Sequence, residues 1–87
     1  MVPTDGTGRM NVDALERMIR ADRNAGHVPF MIAATAGTTN AGMIDPLADC
    51  ARIAAEYGLW YHVDAAWAGA LIASERLRPA LAGIELA

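Results

Sequence analysis

The run His62-Val63-Asp64-Ala65-Ala66-Trp67, with Ala36-Gly37-Thr38-Thr39 about 25 residues before it, gathers the side chains of this chain with most chemistry to offer. The later stretch supplies a carboxylate and an imidazole, the earlier one two hydroxyls. A carboxylate flanked by small residues suits a flat cationic partner, because Ala65 and Ala66 leave room for a ring to lie against the backbone. A hydroxyl nearby can orient a polar substituent. One absence narrows the chemistry. All seven basic side chains are arginines (9, 17, 20, 23, 52, 76 and 78), and without a lysine the chain forms no Schiff base through a side chain of its own.

These groups act together only if the intervening elements bring them to one place. Residues 2–10 hold Pro, Asp and two Gly and read as a loop. Asn11 offers an N-cap, Asp13 favours the first turn, and Val12, Leu15, Met18 and Ile19 share one helical face, which predicts a helix from about 12 to 25 stopped by Gly26. Val28 to Thr35 is a nearly continuous apolar run without alternation, the pattern of a strand buried on both faces. Residues 36–44 form the loop after it. Asp45 as N-cap and Pro46 at the first helical position open a second helix, with Leu47, Cys50, Ala51 and Ala54 as its buried face and Gly58 as its end. Leu59 to Val63 is a second short strand, with Asp64 at its C-terminal end. Strand, helix and strand make one βαβ unit, parallel and right-handed by expectation. Ligands of such sheets bind outside the carboxyl ends of the strands, where Thr38, Thr39 and Asp64 all fall. Residues 65–73 are small and apolar and can enter another helix, and Ser74 to Ala82 reads as a short helical segment interrupted by Pro79.

Composition excludes several classes of function. With 87 residues there is at most one domain, and 54% hydrophobic content, including 19 alanines, resembles the interior of a larger protein more than a free-standing small one. The net charge of −3 and the scattered arginines leave no basic stripe for nucleic acid. The lone Cys50 excludes an internal disulfide and reads as a small core residue. No signal peptide and no apolar run of membrane-spanning length is visible, so the expectation is a soluble protein of the cytoplasm that binds neither membrane nor metal. No GxGxxG follows either strand, and Gly37-Thr38-Thr39-Asn40-Ala41-Gly42 has the wrong spacing for a dinucleotide or Walker loop.

His62-Val63-Asp64-Ala65-Ala66-Trp67-Ala68-Gly69 resembles the sheet segment of the pyridoxal-phosphate-dependent (group II) amino-acid decarboxylases, the family of the glutamate, aromatic-amino-acid, histidine and diaminobutyrate enzymes. Ala34-Thr35-Ala36-Gly37-Thr38-Thr39, followed by Gly42-Met43-Ile44-Asp45-Pro46-Leu47, is similar to the preceding segment of that family, and the interval to Asp64 fits without a gap. The resemblance covers essentially the whole chain, most strongly residues 30–69. It implies an α/β fold: residues 1–87 as a βαβ fragment of the large domain of the type I pyridoxal-phosphate transferase fold, mostly parallel, truncated at both ends. It implies pyridoxal 5'-phosphate as cofactor, an amino acid as substrate, an amine and carbon dioxide as products, and a homodimer.

Residue by residue, Asp64 matches the aspartate that pairs with the pyridine nitrogen. A carboxylate within hydrogen-bond reach favours the protonated ring, which is the better electron sink when carbon dioxide departs. Thr39 matches a threonine that hydrogen-bonds near the cofactor, and Ala66 the alanine packed against the ring face. His62 projects to the same side of its strand as Asp64 and can buttress the carboxylate, although a core histidine is the reading its residue type favours. Asp64 as a bare helix cap and Thr39 as a turn residue stay open beside these roles, while Thr38, Trp60, Tyr61 and Trp67 read as structural or packing residues. The family's lysine should follow beyond Ala87 and its phosphate-binding residues should precede this segment, so the chain alone is expected to be inactive and marginal in stability, two strands being too few to bury a doubly covered sheet. The alternatives are another type I reaction, such as transamination or carbon–carbon lysis, and a non-catalytic truncated remnant.

Overall fold

The computed structural model of the chain describes residues 1–37, 43–66, 73–76 and 78–87. Helix α1 spans Val12–Asn24, strand β1 Met31–Thr35, helix α2 Leu47–Tyr57 and strand β2 Trp60–Asp64, followed by the 3-10 turns Arg78–Leu81 and Ile84–Leu86.

Helix α1 begins where its cap allows: the Asn11 side chain accepts from Ala14 N at 3.0 Å, satisfying one of the donors a helix start leaves unpaired. Asp13 in the first turn and Arg23 in the last complement the helix dipole. The helix closes at Ala25, and Gly26 then takes φ +85°, a conformation that costs glycine nothing. Ala14, Leu15 and Ile19 are buried. Helix α2 starts one residue later than expected and is capped differently. Pro46 occupies the cap position with no side-chain bond, so the expected N-cap role of Asp45 does not hold. The Asp45 carboxylate is taken instead by two amides from other segments, described below. Leu47, Cys50, Ala51, Ile53 and Ala54 are buried, and Gly58 ends the helix at φ +69°. The expected face is therefore present, with Ile53 added.

The strands pair in parallel, Met31 opposite Trp60, Ala33 opposite His62 and Thr35 opposite Asp64. Strand β1 is shorter than the apolar run that announces it. Val28 and Phe30 are exposed and stand outside the strand. The expectation of burial on both faces is also corrected. Ile32, Ala34 and Tyr61 point into a core with Leu15, Ile19, Leu47, Cys50 and Leu81, whereas Met31, Ala33, Trp60 and His62 are exposed on the opposite face. Both helices pack on one side, so alternate residues of each strand see core and solvent in turn. Burying side chains such as Ile53 and Leu81 stabilises this one-sided core by about 1.5–3 kcal/mol each.

The C-terminal turns lean on α2. Leu81 is buried in the shared core. Pro79 does not interrupt a helix but sits in the first turn of Arg78–Leu81, where an N–H lacks a helical partner in any case. The helix considered for 65–73 lies mostly outside the described residues; of its start, Ala65 and Ala66 follow β2 as a turn. No helix among the described residues is long and apolar enough to cross a membrane.

Candidate functional site

Parallel pairing ends both strands at the same level, and there Thr35 and Asp64 stand opposite one another. The chain leaves β1 through Ala36, whose N–H donates to Asp64 O at 2.8 Å, continuing the ladder one step past the strand. Ala36 then bridges Ile44 antiparallel, and Gly37 N donates to Met43 O at 3.0 Å. These bonds close the base of the segment between Gly37 and Met43. Thr38 and Thr39 belong to that segment and lie outside the described residues, as does Trp67.

Asp64 is exposed. Its Oδ1 accepts from Ala66 N at 3.2 Å, a turn in which the side chain holds the backbone that leaves the strand. Oδ2 takes no hydrogen bond from any described residue. Ala66 is thereby fixed just beyond the carboxylate. His62 is on the same face two residues earlier, but it is not the core histidine its type suggested: it is exposed, and its ring meets Trp60 edge-on at 6.1 Å between centroids. No hydrogen bond joins His62 to Asp64 across the described residues. Trp60 is 64% exposed, so it does not fill the core as expected. Tyr61 does, with its hydroxyl donating to Leu47 O at 3.0 Å. The open face therefore carries an indole, an imidazole and a carboxylate in a row along β2, beside the small Ala33 and Thr35 of β1.

Titratable groups on the other face are silenced by burial. Burial pushes the Cys50 thiol up to about 11, with the Asp45 and Asp49 charges adding to it. It thus stays a thiol at neutral pH and is no nucleophile. Burial likewise lifts the Tyr61 phenol to about 12.

Two residues were missed as site residues. Thr35 is Asp64's partner in register, a placement no local pattern announces, because the apolar run that holds it shows no alternation. Asp45 holds Thr35, and its signal was masked because Asp-Pro before an apolar helix reads as a cap.

The donor set fits pyridoxal phosphate on the ring-nitrogen side. An exposed carboxylate with one oxygen steadied by a backbone amide and the other unbonded among the described residues suits a protonated ring nitrogen, and the small Ala33 and Ala66 are exposed near it. Comparison with known proteins shows the family. The family model for the pyridoxal-dependent decarboxylase conserved domain matches residues 1–87. An L-aspartate decarboxylase of Metarhizium robertsii is 45% identical over 86 residues, which cover 99% of this chain and 17% of that protein. An L-2,4-diaminobutyrate decarboxylase of Acinetobacter baumannii is 48% identical over 85 residues, 98% of this chain and 17% of that one. Among solved structures, mouse CSAD in apo form superposes with a TM-score of 0.96 at 45% identity, covering 99% of this chain and 18% of that chain. The chain thus spans about a sixth of the length of the curated relatives it matches.

Proposed function

Because the chain belongs to the pyridoxal-dependent decarboxylase family, we propose that it forms part of the large domain of an enzyme that converts an amino acid to an amine and carbon dioxide. In this reading residues 1–87 build the βαβ unit that receives the ring-nitrogen side of pyridoxal 5'-phosphate. The observation that carries it is Asp64, an exposed carboxylate at the end of a parallel strand, steadied by Ala66 N at 3.2 Å, with no described residue bonded to its other oxygen. The remaining parts of the site, an amine-bearing lysine above all, come from outside these residues.

The bound cofactor supplies an electron sink for the electron pair left when carbon dioxide departs. Asp64 holds a proton on the ring nitrogen by accepting a charge-assisted hydrogen bond. Ala66 presents a methyl group against the ring. Thr39, outside the described residues, takes from the family resemblance alone the role of a hydrogen-bonding threonine near the cofactor. His62 stands two residues before Asp64 on the same exposed face of β2 and flanks the carboxylate. The reading extends to a homodimer in the cytoplasm; the resemblance supports the dimer, and a single buried, unpaired thiol suits a reducing compartment.

The test uses the full-length protein that contains this sequence. Titrated with pyridoxal phosphate, it should develop the visible absorbance of a bound cofactor. It should release carbon dioxide from one of a panel of acidic and diamino acids, L-aspartate and L-2,4-diaminobutyrate included. Asp64→Ala should weaken cofactor binding about tenfold or more, the scale of a lost hydrogen bond to a charged group. Unchanged affinity in Asp64→Ala would sink the assignment of Asp64. Cofactor binding with an amine-exchange reaction in place of carbon dioxide release would identify a transaminase instead.

A further inference from the structure

Asp45 was expected to cap α2, and the structure gives both its carboxylate oxygens to other segments. Oδ1 accepts from Met10 N at 2.7 Å, in the loop before α1, and Oδ2 accepts from Thr35 N at 2.8 Å, at the last residue of β1. Its own N–H donates to Thr35 O at 2.8 Å. One residue therefore holds both polar main-chain groups of Thr35. Successive amides of a strand point to opposite edges. Thr35 N faces Asp45, while the next amide, Ala36 N, turns to Asp64 O at 2.8 Å. The end of β1 is gripped from one edge by Asp45 and from the other by Asp64, and Thr35 and Asp64 are partners in register.

We propose that Asp45 is a positioning residue for cofactor binding: by clasping Thr35 and Met10 it fixes the strand end against which Asp64 is registered. The proposal rests on the role given to Asp64 above. A carboxylate is the side chain this junction requires, because two N–H donors from separate segments converge on it and an ionised carboxylate only accepts. An amide of the same shape would turn an NH2 group toward one of those donors. One amide would lose its partner, and the strand end would be free to shift. Asp64 would then stand off the ring nitrogen although its own side chain is intact.

The experiment uses the full-length protein and three variants, Asp45→Asn, Asn11→Ala and Asp64→Ala. Asn11→Ala removes the α1 cap and lowers stability without touching the end of β1. Two quantities are read at a temperature where far-ultraviolet circular dichroism shows each variant folded: the dissociation constant for pyridoxal phosphate and the visible circular dichroism of the bound cofactor at saturation. Asp45→Asn should weaken binding about tenfold or more and alter the visible band. Asn11→Ala should lower the melting temperature with both readouts unchanged. The proposal is overturned if Asp45→Asn loses only melting temperature while its affinity and visible band match the parent. Should Asp45→Asn fail to fold, Asp45→Ser, which keeps one acceptor, is read by the same two measures and against the same outcomes. Asp64→Ala separates the two readings. A normal affinity there removes the role of Asp64 and with it the basis for Asp45; a weakened Asp64→Ala beside a normal Asp45→Asn removes the Asp45 proposal alone.

Discussion

Asp64 ends β2 and Asp45 lies just before α2 with its carboxylate on the end of β1, and their surroundings give the two carboxylates opposite work. Asp64 has Oδ1 tied to Ala66 N, while its Oδ2 takes no hydrogen bond from any described residue. Asp45 has both oxygens committed to main-chain amides and serves the scaffold. Asp64 was legible in the sequence because its neighbours His62, Ala65 and Ala66 form a motif around it. The work of Asp45 was not, since Met10 lies 35 residues away and no local pattern announces that bond. The same distance effect applies at Gly83. It holds φ +102°, and a β-carbon there would stand 2.7 Å from both Ala48 Cα and Leu47 C, backbone atoms that cannot turn aside. Gly83→Ala should therefore lower the stability of the folded chain by at least about 1–3 kcal/mol, seen as a lower urea midpoint. An unchanged midpoint would mean that the C-terminal turns do not dock on α2.

Helix α2 is the element that joins the sheet to the rest. Tyr61 reaches from β2 to Leu47 O at the start of α2, and Cys50 lies in the same packed layer. Both are acids whose folded values are raised, Cys50 from 9.0 to about 11 and Tyr61 from 10.0 to about 12, burial being the main cause. A raised value means that the folded state holds the proton more tightly than the unfolded one. The stability it contributes is complete below the unfolded value and is lost as pH rises through the folded one. Unfolding midpoints measured from pH 7 to 12 should thus fall from about pH 9 upward. Tyr61→Phe should cost about 1 kcal/mol at pH 7 and make the alkaline fall shallower. A flat profile across that range would show that neither group is buried in solution. At this scale the helices were readable and the strands partly so. Asn11, Gly26 and Gly58 mark ends chemically, whereas Val28, Pro29 and Phe30 match β1 in composition yet stand outside it.

For the whole molecule, the consequential feature is that α1 and α2 lie on one face of a two-stranded sheet. Phe30, Met31 and Trp60 are exposed on or beside the other face, Trp60 at 64%. Contiguous apolar surface of this kind marks an interaction site or an association liability. The isolated 87-residue chain should bind a hydrophobic dye such as 8-anilinonaphthalene-1-sulfonate, and a Met31→Thr, Trp60→Thr double variant should bind less. Dye fluorescence indifferent to that double change would mean the face is already covered in solution. The apolar run 28–35 foretold a sheet covered on both sides. Among the described residues only one side is covered, because a continuous hydrophobic strand encodes what a complete sheet buries and not which layers a given length of chain supplies.

The sequence by itself determined the order of elements, the parallel βαβ unit, the family and the place of Asp64 at a strand end, because caps, apolar periods and the two motifs are local signals that survive without coordinates. Only the tertiary structure decided that Thr35 is registered on Asp64, that Asp45 clasps two distant amides instead of capping its own helix, that His62 and Trp60 look outward, and that Gly83 has no room for a side chain. These outcomes depend on how separate segments pack together, and long-range packing leaves no local trace in the residues that make it.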